Sequence, residues 1–173
     1  MAKNITIGLA HIKLGAIGTD GAMGTTLSAL GDTTKDTCKI NFEDPEKKEF
    51  FVEEYDDPIH VEYTQGKINI VFQIANPDLD TVVKTFGGKV TGTGATAVYE
   101  APDQYITIEQ SMEVKPKKGL GFKFTRVSLA AKFTSDFGKE NLFGIEVTAT
   151  VMRPTKEGEP RFRMFNADAV TTP

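Results

Sequence analysis

The chain has 173 residues, of which 39% are hydrophobic and 25% charged, a composition that fits one soluble globular domain with a sizeable core and excludes an intrinsically disordered protein. Its single cysteine, Cys38, excludes a framework of intrachain disulfides. No apolar run is long enough for a signal peptide or a membrane span, so we expect a protein of the cytoplasm with no membrane partner.

The net charge of −4 is distributed unevenly along the chain. Residues 1–114 carry 9 Lys and Arg against 18 Asp and Glu, whereas residues 115–173 carry 11 against 6. Opposite charges on two ends of a protein would attract copies of it head to tail. The same asymmetry also arises when the two parts form different solvated faces, so both interpretations stay open.

Alternation of apolar and polar residues predicts strands along most of the chain. In "GKINIVFQIA" (66–75), four apolar side chains share one face, and Asn69 and Gln73 lie on the other. The long strand at 120–134 follows a turn at 115–119 and changes its apolar face near Arg126, which predicts a β-bulge or bend. The fold class is mainly β, an antiparallel sandwich or barrel. Strands are predicted at 3–9, 12–17, 37–42, 48–54, 59–64, 66–75, 104–114, 120–134 and 143–152.

One short helix, at about 77–86, interrupts the strands. Asn76 is a suitable N-cap residue, Pro77 fits the first turn, and Gly87 provides the left-handed conformation that ends a helix. An isolated helix of this length is marginal in water, so it must pack against the sheet. Helical spacing predicts that the packing residues are Leu79, Val82, Val83 and Phe86.

Three segments of the single predicted domain, 1–173, lack a strong periodic pattern. Residues 15–36 are rich in Gly, Thr and Ala and predict a flexible loop. Residues 43–58 hold eight acidic residues against two lysines and predict an extended acidic loop, for which a solvated surface is the simplest interpretation. Residues 161–173 predict a C-terminal tail that is mobile or docked on a neighbour.

The sequence contains no motif typical of an enzyme or of a cofactor site. His11 and His60 lack metal-binding spacing, and the glycine-rich residues 86–96 follow a helix instead of preceding one, which a phosphate site would need. Paired carboxylates such as those of "EEYDD" occur in glycosidases, but the chain has no tryptophan to stack on a sugar. We therefore predict no enzymatic activity, no catalytic or metal-binding residue and no cofactor.

The order of these elements resembles that of the major tail tube proteins of long-tailed bacteriophages. The resemblance rests on "FFVEEYDDPIHVEYTQGKINIVFQIANPDLDTVVKTFGG", in which an acidic loop, two strands and a helix occur in series. It also rests on the closing strands "QYITIEQSMEV", "GFKFTRVSLAAKF" and "LFGIEVTATVMRP", and it covers most of residues 37–153. That family is similar in fold to the tube protein of type VI secretion systems.

The resemblance implies a structural virion protein of the phage tail, made in the host cytoplasm. Its subunits would form hexameric rings that stack into a hollow tube, with other tail proteins as further partners, and phage DNA would pass through without tight binding. The helix would brace the sandwich, and the loop 43–58 would reach an adjoining subunit or ring. The expected self-assembly residues are the acidic Glu46, Glu49, Glu53, Glu54, Asp56 and Asp57 and the basic Lys115, Lys117 and Lys118.

Two questions stay open at this point. The acidic residues would either face the lumen and repel DNA or meet the lysines of the next ring. The alternative functions are a tail-terminator or type VI-like secretion tube subunit, a β-barrel that binds a small ligand or carbohydrate, and an enzyme.

Overall fold

The computed structural model of the protein describes residues 5–134, 137 and 142–167. It has the predicted mainly β class, with antiparallel sheets and, among the described residues, one α-helix. A short 3-10 turn covers Gly94–Thr96. The strands are β1 (Ile7–Gly15), β2 (Ser28–Ala29), β3 (Lys39–Phe42), β4 (Glu46–Val52), β5 (Tyr55–Thr64), β6 (Ile68–Ile74), β7 (Lys89–Thr91), β8 (Val98–Glu100), β9 (Ile108–Lys118), β10 (Leu120–Thr134), β11 (Gly144–Val151) and β12 (Phe162–Asn166), and the helix is α1 (Leu79–Phe86).

One antiparallel sheet wraps around a single apolar core. Its strand order is β2-β1-β9-β10-β11-β6-β3, with β12 on the first half of β10. The segment 28–42 closes the sheet on itself. Ala29 pairs with Lys13 of β1, while the Thr34 amide N–H donates to the Gln73 carbonyl of β6 at 2.8 Å. The core inside holds apolar residues from β1, β6, β9, β10 and β11, as the alternating pattern predicts.

The longest strand, β10, pairs with different partners along its two halves because it bends. Its register against β9 shifts between Phe124 and Val127, which confirms the bulge predicted near Arg126. The first half pairs with β12 and the second with β11. The guanidinium of Arg126 is fixed at the bend by Glu109, with Nη2 and Oε2 2.7 Å apart, and by the Arg153 carbonyl at 3.2 Å.

The prediction of a turn over 115–119 is wrong, because β9 continues to Lys118 and only Gly119 separates β9 from β10. Lys and Pro at these positions have turn-like composition, but they pair with the first half of β1. Gly119 has a φ of 95°, a left-handed conformation that favours glycine. A Cβ there would also lie 2.5 Å from the Thr6 Cα, so the tight turn depends on glycine.

Four other predicted segments differ from the structure. The strands predicted at 3–9 and 12–17 overlap one strand, β1 (Ile7–Gly15), whose register against β9 shifts between Leu9 and His11, and residues 3 and 4 lie outside the described part of the chain. The tail predicted at 161–173 contributes β12, and residues 168–173 lie outside the described part of the chain. The loop predicted at 15–36 is tied to the main sheet, since the Gly24 amide N–H donates to Ser111 Oγ at 2.9 Å.

The helix begins at Leu79 with Asp78, and not Asn76, as its N-cap. The Asp78 carboxylate accepts a hydrogen bond from the Thr81 amide N–H at 2.7 Å. The Asn76 side chain instead accepts a hydrogen bond from the Asp32 amide N–H at 2.7 Å, so it anchors the segment that closes the sheet. Gly87, with a φ of 77°, ends the helix as predicted.

The predicted packing stripe of the helix lies partly on the sheet. Val82 is buried in the core, and the Phe86 ring stacks on the Phe133 ring with centroids 4.3 Å apart. Val83 is half-buried, but Leu79 is 36% exposed and lies outside the core. The prediction that Leu79 packs against the sheet is therefore wrong, because the buried face of α1 is rotated away from this residue.

Two threonines take the place of Leu79 on the buried face. Thr81 and Thr85 are buried because their hydroxyl groups find backbone acceptors. The Thr85 hydroxyl donates to the Thr81 carbonyl at 2.9 Å, and the Thr81 hydroxyl donates to the Leu30 carbonyl at 3.3 Å. The second bond links α1 to the closing segment of the sheet. No helix among the described residues is long and apolar enough to cross a membrane.

The N-cap leads to a prediction for the variant Asp78→Ala. We expect its free energy of unfolding at neutral pH to be lower by about 1 kcal/mol, because the Thr81 amide loses its acceptor. Hydrogen bonding to Thr81 lowers the pKa of Asp78, so this stabilisation is present above the unfolded pKa and is lost as the pH falls through the folded pKa. Chemical denaturation at pH 7 and below about pH 4 measures the difference, which should shrink in acid.

The matched control for this prediction is Asp80→Ala in the first turn of the same helix. Its carboxylate has no hydrogen bond or ion pair within the described residues and lies at the positive end of the helix dipole, so we expect a loss of about 0.3 kcal/mol. An Asp78→Ala loss no larger than that of Asp80→Ala would contradict the capping role.

Candidate self-assembly surfaces

The acidic segment 43–58 belongs to a β-hairpin and is not an extended loop. Strands β4 and β5 pair with each other from Glu46–Thr64 to Val52–Tyr55, and with no other described strand. The residues Glu53 and Glu54 form the turn. We call residues 46–64 the hairpin arm. A two-stranded hairpin is marginally stable alone in water, so contacts beyond its own two strands would stabilise it.

All six acidic residues predicted for self-assembly lie on the hairpin arm, and all are exposed. Glu49 forms an ion pair with Lys47 of the same strand, and its hydrogen bond raises the pKa of Lys47. The four acidic residues nearest the turn have no ion-pair partner in the part of the chain that the structure describes. They are Glu53, Glu54, Asp56 and Asp57.

The hairpin arm also exposes large apolar side chains. Phe51 is 57% exposed and Tyr55 68% exposed, on either side of the turn. The centroids of the Phe50 and His60 rings lie 5.7 Å apart. The Lys48 ammonium lies 5.1 Å from the centroid of the Phe50 ring. Several large exposed apolar side chains on one element are typical of an interaction surface. The exposed apolar residues of the arm are Phe50, Phe51, Val52, Tyr55, Ile59 and Tyr63.

The three predicted lysines lie at the far end of β9, on the main sheet. Lys115 is half-buried and pairs with His11 of β1, whereas Lys117 and Lys118 are exposed. Among the described residues, none of the three forms an ion pair with the hairpin arm. The acidic and basic groups predicted to attract each other are therefore not joined by an ion pair within the part of the chain that the structure describes.

An open groove, which the sequence did not predict, lies beside these lysines. β1 is covered on one side by β9, but on its other side β2 pairs only with Lys13 and Leu14. β3 pairs with β6 alone among the described strands. Between the two uncovered edges is a cavity of about 710 Å³, which we call the β1–β3 groove. Its apolar wall includes Leu9, Ile40, Val114 and Phe122, its charged residues are Asp32, Lys35, Asp36 and Lys117, and His11 also lines it.

The surroundings of Cys38, in the groove, and of Glu113, behind it, do not favour catalysis. Burial raises the pKa of the Cys38 thiol to about 11, so it is protonated at neutral pH and weakly nucleophilic. Glu113, behind the groove, lies 3.2 Å from His11 Nε2 and 3.2 Å from Lys123 Nζ. Burial alone would raise the pKa of Glu113, but hydrogen bonds with His11 and Lys123 outweigh burial and lower it.

A second, smaller cavity of about 280 Å³ lies between the end of α1 and β10. Its wall includes the aromatic residues Phe86, Tyr99, Tyr105 and Phe133. In residues 5–134, 137 and 142–167, no three His, Cys, Asp or Glu side chains converge on a metal site.

A scan against models of protein families finds no match to the chain, and a search of the curated proteins finds none either.

Proposed function

We propose that this protein is a structural subunit that associates with itself, and specifically a major tail tube subunit of a long-tailed bacteriophage. Hexameric rings of the chain would stack into the conduit through which DNA leaves the virion. The observation that carries the proposal is the hairpin arm, which pairs with no other described strand and exposes six large apolar residues beside four unpaired acids. A monomer with no partner would gain nothing from such an arm.

The charge distribution supports the same proposal. DNA is a dense line of negative charge, so a conduit with an acidic or neutral wall lets it slide without binding. The acidic residues of the first 114 positions suit such a wall or a contact with the lysines at the end of β9. Under this proposal the partners are other copies of the chain and other tail proteins, and the protein is neither an enzyme nor bound to a cofactor.

Two alternatives remain worth testing. A tail-terminator or type VI-like secretion tube subunit would form rings of the same kind that stop or stack differently. A small-ligand-binding protein is favoured by the aromatic cavity beside α1, although its volume of about 280 Å³ is at the lower limit for a ligand site.

Negative-stain electron microscopy with light scattering, across a concentration series of the purified protein, tests the proposal. We expect rings or hollow tubes whose number rises with protein concentration, because each contact is bimolecular. Closed rings that never stack would instead indicate a terminator. If the protein is a monomer at every concentration, the result contradicts self-association and favours the ligand-binding alternative.

A further inference from the structure

We infer that the β1–β3 groove of one subunit receives the tip of the hairpin arm, residues 51–57, from a second copy of the chain. The inference rests on the proposed function, because it requires the chain to associate with itself. It assigns that association to two named surfaces. Both surfaces are incomplete in the single subunit, and their backbone, apolar and charged groups match.

The first match is in the backbone. The first half of β1 and the whole of β3 each have an edge with no strand partner in the described part of the chain. The hairpin arm likewise has two uncovered edges, since β4 and β5 pair only with each other. Unpaired strand edges bind extended segments through main-chain hydrogen bonds. An arm inserted between β1 and β3 would satisfy groups of both subunits.

The second match is between apolar surfaces. Val114 is buried at the base of the groove, and Leu9, Ile40 and Phe122 are half-buried along it. The tip offers the exposed rings of Phe51 and Tyr55. A cavity of about 710 Å³ has room for aromatic side chains of this size. Insertion would remove both apolar surfaces from water.

The third match is in charge. The tip carries four acidic residues and no Lys or Arg. The groove carries Lys35 and Lys117, and Lys118 follows at the end of β9. Its two aspartates, Asp32 and Asp36, offset the charge of Lys35 and Lys117, and Asp32 also accepts a hydrogen bond from the Asn76 side-chain amide at 2.9 Å. The net attraction for the acidic tip therefore comes from the further lysines at this end of β9, Lys115 and Lys118.

The geometry of such a contact fits an assembly that grows. The arm and the groove are different surfaces of the same chain, so the contact is heterologous. Each subunit then has one arm that inserts and one groove that receives an arm. Repeating this contact gives a ring if the series of subunits closes on itself and a stack if it does not.

Cross-linking between two differently tagged full-length chains tests the inference. Both carry Cys38→Ser; one adds Tyr55→Cys at the tip and the other Lys35→Cys in the groove. After mixing and mild oxidation, we expect the mixed disulfide dimer to form at least about tenfold more than with a control chain. The control replaces Lys35→Cys with Lys132→Cys, on an exposed side chain near the other end of β10.

A second test needs no cysteine. The variant Glu53→Lys/Glu54→Lys/Asp56→Lys/Asp57→Lys replaces all four acidic residues of the tip by lysine and so reverses its charge, and Lys35→Glu/Lys117→Glu/Lys118→Glu makes the groove and its rim acidic. Each variant alone would repel itself, and we expect light scattering to show at least about tenfold weaker association. An equimolar mixture should recover assembly, because each tip then meets a groove of opposite charge.

The outcomes separate the inference from the proposed function. If rings or tubes form but the disulfide between positions 55 and 35 is no more abundant than the control, or the charge-reversed mixture stays dissociated, the groove is not the acceptor and self-association stands. A prevalent disulfide between position 55 of two chains would likewise overturn the inference, since tips would meet tips. If the wild-type chain never associates, both proposals fail.

Discussion

A variant that lacks the tip of the hairpin arm is expected to stay monomeric at every concentration at which the wild-type chain forms rings or tubes. In this variant Asn-Gly replaces residues 51–59 and joins Phe50 to His60, which already pair across the hairpin. Asn-Gly is the preferred two-residue hairpin turn, so the rest of the arm keeps its pairing. The change removes the four acidic tip residues together with Phe51 and Tyr55.

The expected effect is large because the tip supplies most of the proposed contact. Burying two aromatic side chains contributes about 3–5 kcal/mol before entropy costs, so their loss weakens each contact by roughly a hundredfold or more. A ring needs several such contacts at once, and its formation should fall more steeply still. The subunit itself should remain folded, because no residue of the arm belongs to the core cluster.

Sedimentation and electron microscopy report assembly of the shortened variant, and circular dichroism reports its melting temperature. We expect the melting temperature to change by only a few degrees, since the removed side chains are exposed. The matched control is Val98→Ser/Met164→Ser, which removes exposed apolar groups from elsewhere on the surface. Normal assembly of the shortened arm would show that subunits meet through other surfaces.

The sequence was informative where the structure is determined locally. Alternation with a period of two identified the central strands, and the change of apolar face near Arg126 identified the bend of β10, because side-chain direction follows from strand geometry alone. The end of α1 at Gly87 was predictable for the same reason. A glycine after an apolar helical stripe marks a local backbone conformation.

Other features depend on partners that lie far away in the chain. Asn76 and Asp78 are both good N-cap residues, and the choice falls on Asp78 because Asn76 binds Asp32, 44 positions earlier. The buried face of α1 likewise depends on the Leu30 carbonyl, which allows Thr81 to be buried. Composition alone cannot identify such acceptors.

The β1–β3 groove was the least predictable feature of the candidate site. It exists because β1 pairs with β9, about a hundred positions later, while β2 covers only two of its residues. The individual residues of the groove carry no motif. Lys117 was among the residues expected for self-assembly, and the sequence did not indicate that Lys35 and an apolar wall lie beside it in a groove. A search for strand edges without partners needs the pairing pattern, which one sequence does not contain.

The second prediction with a large expected effect concerns the stability of the folded chain and not its assembly. Phe72→Ala is expected to lower the free energy of unfolding by about 3–5 kcal/mol. Phe72 is only 1% exposed and lies on β6 opposite Val147 of β11, in the middle of the core. The surrounding strands are hydrogen-bonded on both sides and have little freedom to collapse into the cavity. For a domain whose total stability is about 5–15 kcal/mol, this loss is a large fraction.

Phe51→Ala is the matched control, because it makes the same substitution at a side chain that is 57% exposed. We expect it to change the free energy of unfolding by less than about 0.5 kcal/mol. Urea denaturation of both full-length variants at concentrations where the protein is monomeric keeps assembly from adding to the measured stability. In the full-length chain, Phe51→Ala should weaken assembly while Phe72→Ala lowers the folded fraction at every concentration. Equal effects of the two substitutions on unfolding would mean that the arm belongs to the folding unit, and its tip would then not be free to enter a second subunit.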